Sequence, residues 1–292
     1  MTFNEGIRTD PNRVKTSRAG TGAAVGGIGG IIALLIYMFT GMDLSGVMGG
    51  GSTQEQAGKD LSHCTTAEAA NEHDECRMVA TAESLDVLWS QALPQQANIR
   101  YQAPDFTVFE GAVNTACGQA TSAVGPFYCP ADQGVYLDTG FFGQLESQLG
   151  AENAPLAQMY IVAHEWGHHI QNQLGFMGQV NTRQTGPESG AVRLELQADC
   201  LAGMWVRHAS STIDPDTGNA FLVEPTEDQI RDALTAAAAV GDDRIQERTQ
   251  GRAIPETFSH GTSEQRMRWF ATGYSGGNVA SCNTFEVAGN QL

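Results

Sequence analysis

The densest run of reactive side chains in this 292-residue chain is His164-Glu165-Trp166-Gly167-His168. On an α-helix, positions i and i+4 lie a turn apart on one face, so both imidazoles can reach a single cation. Glu165 sits about 100° further round the helix. It points beside the cation rather than at it, where it can take a proton from water. A catalytic zinc site needs three protein ligands and one open position, and two histidines with a glutamate are a known set. Glu195-Leu196-Gln197-Ala198-Asp199 supplies what is missing. Glu195 and Asp199 are again i,i+4, and Glu195 is the expected third ligand. Asp199 is expected to accept a hydrogen bond from an imidazole nitrogen that is not spent on metal, fixing the ring's tautomer. Glu188 is a rival ligand, but Val192 stands where its companion carboxylate would be. The three-histidine pattern would need glycine at 171 and histidine at 174, and the chain has Gln171 and Leu174.

The chemistry that suits these residues is amide hydrolysis with one Zn2+ per chain, Glu165 acting as general base. The developing oxyanion needs a further donor. His260, in a loop-forming stretch after the metal helices, is the first candidate, with Tyr160 and Tyr274 behind it. His169 points off the ligand face and reads as a supporting or surface residue. His208 suits the negative end of its helix. Cys200 follows Asp199 directly, yet its offset from Glu195 turns it away from the metal.

HEWGHHIQNQLG and RLELQADCLAGMW resemble the YpfJ-type neutral zinc metallopeptidase family of bacteria. CGQATSAVGPFYCPADQGVYLD at 117–138 and HGTSEQRMRWF at 260–270 extend the likeness to about residues 80–285. The resemblance also takes in an N-terminal membrane segment, and it implies a membrane-tethered metallopeptidase.

The net charge of −17 repels phosphate backbones and argues against nucleic acid as a partner. No charged residue falls between Arg18 and Asp43. Residues 19–42 are long enough to span a bilayer, and Arg8, Arg13, Lys15 and Arg18 precede them. The expectation is a cytoplasmic tail at 1–18, a single-pass anchor at 19–42 in the cell membrane, and everything after it outside the cytoplasm. Gly22, Gly26 and Gly30 repeat at GxxxG spacing and could pair two anchors into a homodimer. Six cysteines fit an oxidising compartment. Cys64–Cys76 and Cys117–Cys129 would close short loops, leaving Cys200–Cys282.

Residues 43–79 read as a tether and cysteine-containing loop, and 80–292 as the metallopeptidase domain. A second metal site is conceivable among His63, Cys64, His73, Asp74, Glu75 and Cys76, although a disulfide-stapled loop accounts for the same residues. Helices are expected over about 80–96, 139–149, 155–174 and 188–208, from Thr226 through the Ala236–Ala239 run, and over 262–270. Alternation marks strands at 106–113 and 134–138. The fold class is α+β: a mainly helical, zincin-like domain with a small mixed sheet, preceded by one transmembrane helix. Val135–Leu137, or a neighbouring strand of the same sheet, is the expected edge for binding an extended substrate backbone. The substrate is a peptide or partly unfolded protein. The rivals are a metal-stabilised, chaperone-like binding protein and a hydrolase of a non-peptide envelope amide.

Overall fold

A computed structural model describes residues 2–19, 55–149 and 153–292. Among them, five strands form a mixed sheet in the order β2-β1-β3-β7-β6, with β1 at Lys15–Ala19, β2 at Glu55–Ala57, β3 at Asp105–Glu110, β6 at Phe127–Cys129 and β7 at Gly134–Asp138. β1, β3 and β7 run parallel, while β2 and β6 pair antiparallel at the two margins. A separate hairpin, β4 (Ala112–Thr115) and β5 (Gly118–Thr121), packs Val113 and Ala120 onto Phe109, Phe127 and Tyr136. The strand expected over 106–113 is thus two strands, because Gly111 at φ 82° turns the chain between them.

The helices are α1 (Ala67–Glu72), α2 (Asp74–Ala97), α3 (Gly140–Gln144), α4 (Pro155–Gln173), α5 (Gly190–His208), α6 (Glu227–Ala239), α7 (Asp242–Gln250) and α8 (Ser263–Gly276). Their ends follow local chemistry. Pro155 opens α4, where a missing N–H costs nothing. The Ser189 hydroxyl accepts from Val192 N–H and starts α5. Thr226 with Gln229, and Thr262 with Gln265, form reciprocal capping boxes for α6 and α8.

Two close helix crossings position the site. A Cβ at Gly167 would stand 2.9 Å from Ala198 Cα and 3.0 Å from its carbonyl oxygen, so bare glycine lets α4 and α5 cross in contact. On the other side of α5, Gly203 and Gly273 lie against the Phe270 and Cys200 carbonyls, bringing α8 equally close. The core is continuous around these helices, with Trp89, Trp166 and Trp205 all buried.

The N-terminal segment corrects the expected topology. β1 sits inside the sheet, pairing Lys15↔Thr107 through Arg18↔Glu110 on one side and Ser17↔Ala57 through Ala19↔Glu55 on the other. Phe3, Ile7 and Val14 are buried in the common core, and Phe3 bridges to Leu222. Strands cannot pair across the ~30 Å hydrocarbon layer of a bilayer. Residues 2–19 therefore lie on the same side as α4 and α5, and the single-pass arrangement with a cytoplasmic tail and an extracytoplasmic domain does not stand. Among the described residues no helix is long and apolar enough to cross a membrane. The helix expected at 19–42, with Gly22, Gly26 and Gly30, falls outside the described residues from position 20 onward. The fold is a mainly helical mixed α/β domain without the expected leading transmembrane helix among those residues.

Candidate metal centre

The α4–α5 crossing places His164 and His168 opposite Glu195. His164 Nε2 lies 3.2 Å from Glu195 Oε2, and His168 Nε2 lies 3.4 Å from Glu195 Oε1. Ligand atoms around one tetrahedral zinc, at ~2.0–2.2 Å from the metal, stand about 3.3–3.5 Å apart. The donor set therefore fits zinc in both chemistry and spacing.

Both imidazoles are held from behind by their Nδ1 atoms, which leaves Nε2 to face the shared carboxylate. His164 Nδ1 is 2.8 Å from Asp199 Oδ1. His168 Nδ1 is 2.9 Å from Gln171 Oε1, and the Gln171 amide donates to the Leu194 carbonyl at 2.5 Å. His164, His168 and Glu195 are buried, and Asp199 is fully so. A carboxylate without solvent needs countercharge and hydrogen bonds. Arg266 Nε and Nη2 donate to Asp199 at 2.8 and 2.9 Å, and the Tyr160 hydroxyl donates at 2.5 Å.

These contacts set the charges. Burial opposes ionisation of Asp199, but Arg266 and His164 outweigh it and hold the carboxyl below its ordinary range. Burial likewise opposes the charge on His164. Asp199, through its charge and hydrogen bond, and Glu195 lift its pKa to about 10. Glu195 is driven well below its usual value by His168, His260 and His164 against the burial penalty. Glu165 moves the other way: burial raises its pKa, offset only in part by the two histidines. A carboxylate poised upward beside a cation site is suited to receive a proton.

His260 is buried on the same side, close enough for Glu195 to raise its pKa along with Asp242, again against burial. Asp242 organises the loop: Oδ2 accepts the N–H groups of Ser259, His260 and Gly261 at 2.7, 2.6 and 3.1 Å, and Oδ1 lies 3.1 Å from His260 Nδ1. Gly261 at φ +89° lets the backbone wrap round that carboxylate.

The remaining candidates fall elsewhere. The Tyr160 hydroxyl proton is committed to Asp199. Tyr274 packs half-buried against the core beside the α5–α8 crossing. The Glu188 carboxylate lies against the backbone at Gly289. His169 is fully buried and braces α4 against the sheet side, with Nδ1 3.1 Å from the Tyr128 hydroxyl and Nε2 2.7 Å from the Gln102 carbonyl. His208 Nε2 meets the Gly277 carbonyl at 2.7 Å. Cys200 is joined to Cys282, Cys64 to Cys76 and Cys117 to Cys129. Arg266, Asp242 and Gln171 carry roles that sequence reasoning did not assign. Their signals were thin: an arginine in a helix's first turn, an acid after Gly241, and an amide one turn past His168.

The strand expected as the edge, β7, is internal, between β3 and β6. The outer strand on the side of the metal helix is its neighbour β6, whose Tyr128 hydroxyl accepts from Asn172 at 2.9 Å and meets His169.

Residues 7–285 match the family model described as "Putative neutral zinc metallopeptidase". The chain belongs to this family. It is similar to an uncharacterized protein of Mycobacterium tuberculosis strain H37Rv, 45% identical over 297 residues that cover 99% of each chain. It is also similar to the uncharacterized protein YpfJ of Escherichia coli K12, 37% identical over 271 residues covering 89% of this chain and 87% of that one. No solved structure matches the chain. The family's description implies zinc, and His164, His168 and Glu195 are the buried group at this crossing that could hold a metal ion.

Proposed function

We propose that the protein hydrolyses peptide bonds, with zinc held by His164 Nε2, His168 Nε2 and Glu195, and with Glu165 as general base. One observation carries the reading: two metal-facing nitrogens and a shared carboxylate converge at 3.2 and 3.4 Å beside a buried Glu165 whose pKa is raised. Bound there, zinc supplies Lewis acidity, acidifying water and polarising a carbonyl.

The chain's own residues do the rest. Glu165 accepts the proton of the attacking water and passes it to the leaving nitrogen. His260, oriented by Asp242 and buried beside Glu195, is the donor toward the substrate oxygen as negative charge builds on it. Asp199 and Gln171 hold the imidazoles in the required tautomer, and Arg266 keeps Asp199 ionised. β6 is the outer strand of the sheet and touches α4 through Tyr128, so an extended peptide bound beside the metal helix would pair along this margin. A sheet-edge site favours peptides and partly unfolded proteins over a compact non-peptide amide.

The deciding experiment compares wild type with Glu165→Gln, zinc-loaded, on a peptide library. The expected result is cleavage by wild type, abolished by a chelator and restored by zinc. The variant should keep its zinc and lose about 10²–10⁴-fold in kcat/KM, as removal of a general base does. Equal cleavage by both proteins would refute the peptidase mechanism and leave a metal-stabilised binding protein.

A further inference from the structure

A second cluster of metal-ligating side chains lies at the joint between the 58–66 segment and helices α1 and α2, built from elements other than those of the catalytic centre. His63 Nε2, Cys64 Sγ and Cys76 Sγ fall within 4.8 Å of one another. We propose that this joint is a second zinc site gated by redox state. With Cys64–Cys76 reduced, the two thiolates and His63 bind one Zn2+, and Glu75 completes a tetrahedral set.

The geometry needs little change. Cys64 Sγ is already 3.7 Å from His63 Nε2, which itself lies 3.8 Å from Glu75 Oε1. With Zn–S near 2.3 Å and Zn–N near 2.0–2.1 Å, tetrahedral ligand atoms stand about 3.5–3.8 Å apart. The two sulfurs must separate, which breaking their bond allows, and the Glu75 carboxylate must close in on the imidazole. The sulfurs are buried while the His63 side chain is 45% exposed, so a cation can enter from the imidazole side. The His73 ring packs edge-on to His63, centroids 5.4 Å apart, and restricts where that imidazole can swing. Two soft thiolates with an imidazole select zinc over magnesium or calcium.

The redox step balances with a dithiol reductant. Its two S–H groups become a disulfide, Cys64–Cys76 becomes two thiols, and Zn2+ then displaces both thiol protons. The exchange swaps one staple for another at a joint with structural consequence. Thr9 donates to the Cys64 carbonyl at 2.7 Å, and Arg8 bridges to Thr66, so this joint holds the segment that delivers β1 to the sheet. Zinc would keep it closed under reducing conditions.

Cobalt(II) separates the two centres, because two histidines and a glutamate give no thiolate-to-cobalt charge-transfer absorption. The full chain is reduced with a phosphine and titrated with cobalt. The expected result is a charge-transfer band that appears only after reduction, accounts for one cobalt beyond any taken by the His164, His168 and Glu195 centre, and is displaced by zinc. It should vanish in Cys64→Ser/Cys76→Ser, and His63→Ala should weaken it by at least about tenfold. Zinc should also slow alkylation of Cys64 and Cys76 in the reduced wild-type chain, read peptide by peptide, and leave the other four cysteines unaffected. The alkylation readout decides should the double variant misfold. A reduced chain without the band, a band retained by the folded double variant, or zinc-independent alkylation of both thiols would overturn the proposal. None of these outcomes depends on peptide cleavage.

Discussion

Arg266→Met removes the guanidinium and keeps most of the buried volume. Asp199 is fully buried and loses both charge-assisted hydrogen bonds from Arg266, retaining only Tyr160 and His164. Breaking a buried ion pair by deleting one partner costs about 3–5 kcal/mol. Because two contacts to Asp199 survive, the expected loss is about 3 kcal/mol, a factor of about 150 in the unfolding equilibrium. The same change loosens the imidazole that Asp199 orients, so zinc affinity should fall about 10–100-fold. The sign with pH follows from the depressed Asp199 value. Stability from the ionised carboxylate is present above its ordinary pKa and is lost as pH falls through the lowered native one. Without Arg266 that native value rises, so the variant should release zinc at a higher pH than wild type. Denaturant unfolding and zinc competition with a chromophoric chelator read both effects. The double variant with Asp199→Asn is the control. If Arg266 acts through Asp199, the pair should lose little more zinc affinity than Asp199→Asn alone. Fully additive losses, or an Arg266→Met protein with wild-type zinc affinity at every pH, would refute the coupling.

Three further outcomes follow from the same structure. Burial, with Asp10, Asp214 and Asp86 nearby, raises the Glu83 pKa to about 7 despite the Asp10 N–H it accepts. Its native protonation favours folding below the ordinary carboxyl value, and that contribution is lost as pH rises through about 7; after discounting for partial exposure, Glu83→Gln should stabilise by ~1–2 kcal/mol near pH 8 and by almost nothing near pH 4, measured by denaturant unfolding. Gly167→Ala forces a methyl into Ala198 backbone at 2.9 Å, so α4 must move off α5; the expected cost is ~1–3 kcal/mol with weaker zinc binding, checked by thermal melting and metal content. Deleting residues 2–19 removes β1 from between β2 and β3 together with buried Phe3, Ile7 and Val14, and should abolish cooperative unfolding; a truncated chain that melts like wild type would contradict the pairing.

Much of the candidate site was legible along the chain because it repeats at helical spacing. The i,i+4 pairs His164/His168 and Glu195/Asp199 each share a helix face wherever that helix is packed. Pro155 and Ser189 mark helix starts by local chemistry alone, which is why the expected α4 and α5 differ from the observed spans by only one or two residues. The start of α2 was hidden: His73 makes no side-chain cap, and its first turn, Asp74-Glu75-Cys76-Arg77, reads as polar loop although Cys76 and Arg77 are buried. β1, with the sequence Lys-Thr-Ser-Arg-Ala, carries no apolar alternation, and a charged strand is recognisable only by its partners.

Residue types and spacing along the chain determined the His164/His168 and Glu195/Asp199 pairs, the acid at 165 and the helices that carry them, since each of those depends on contacts within a turn or two. Tertiary structure alone decided the rest. It brought Arg266 onto Asp199 across 67 positions and Asp242 onto His260 across 18. It also folded the N-terminal segment into the sheet, where hydropathy by itself suggested a tail beyond a membrane. The reason is physical: a buried charge or an uncovered strand edge states a requirement for a partner, and only the assembled core determines which distant residue meets it.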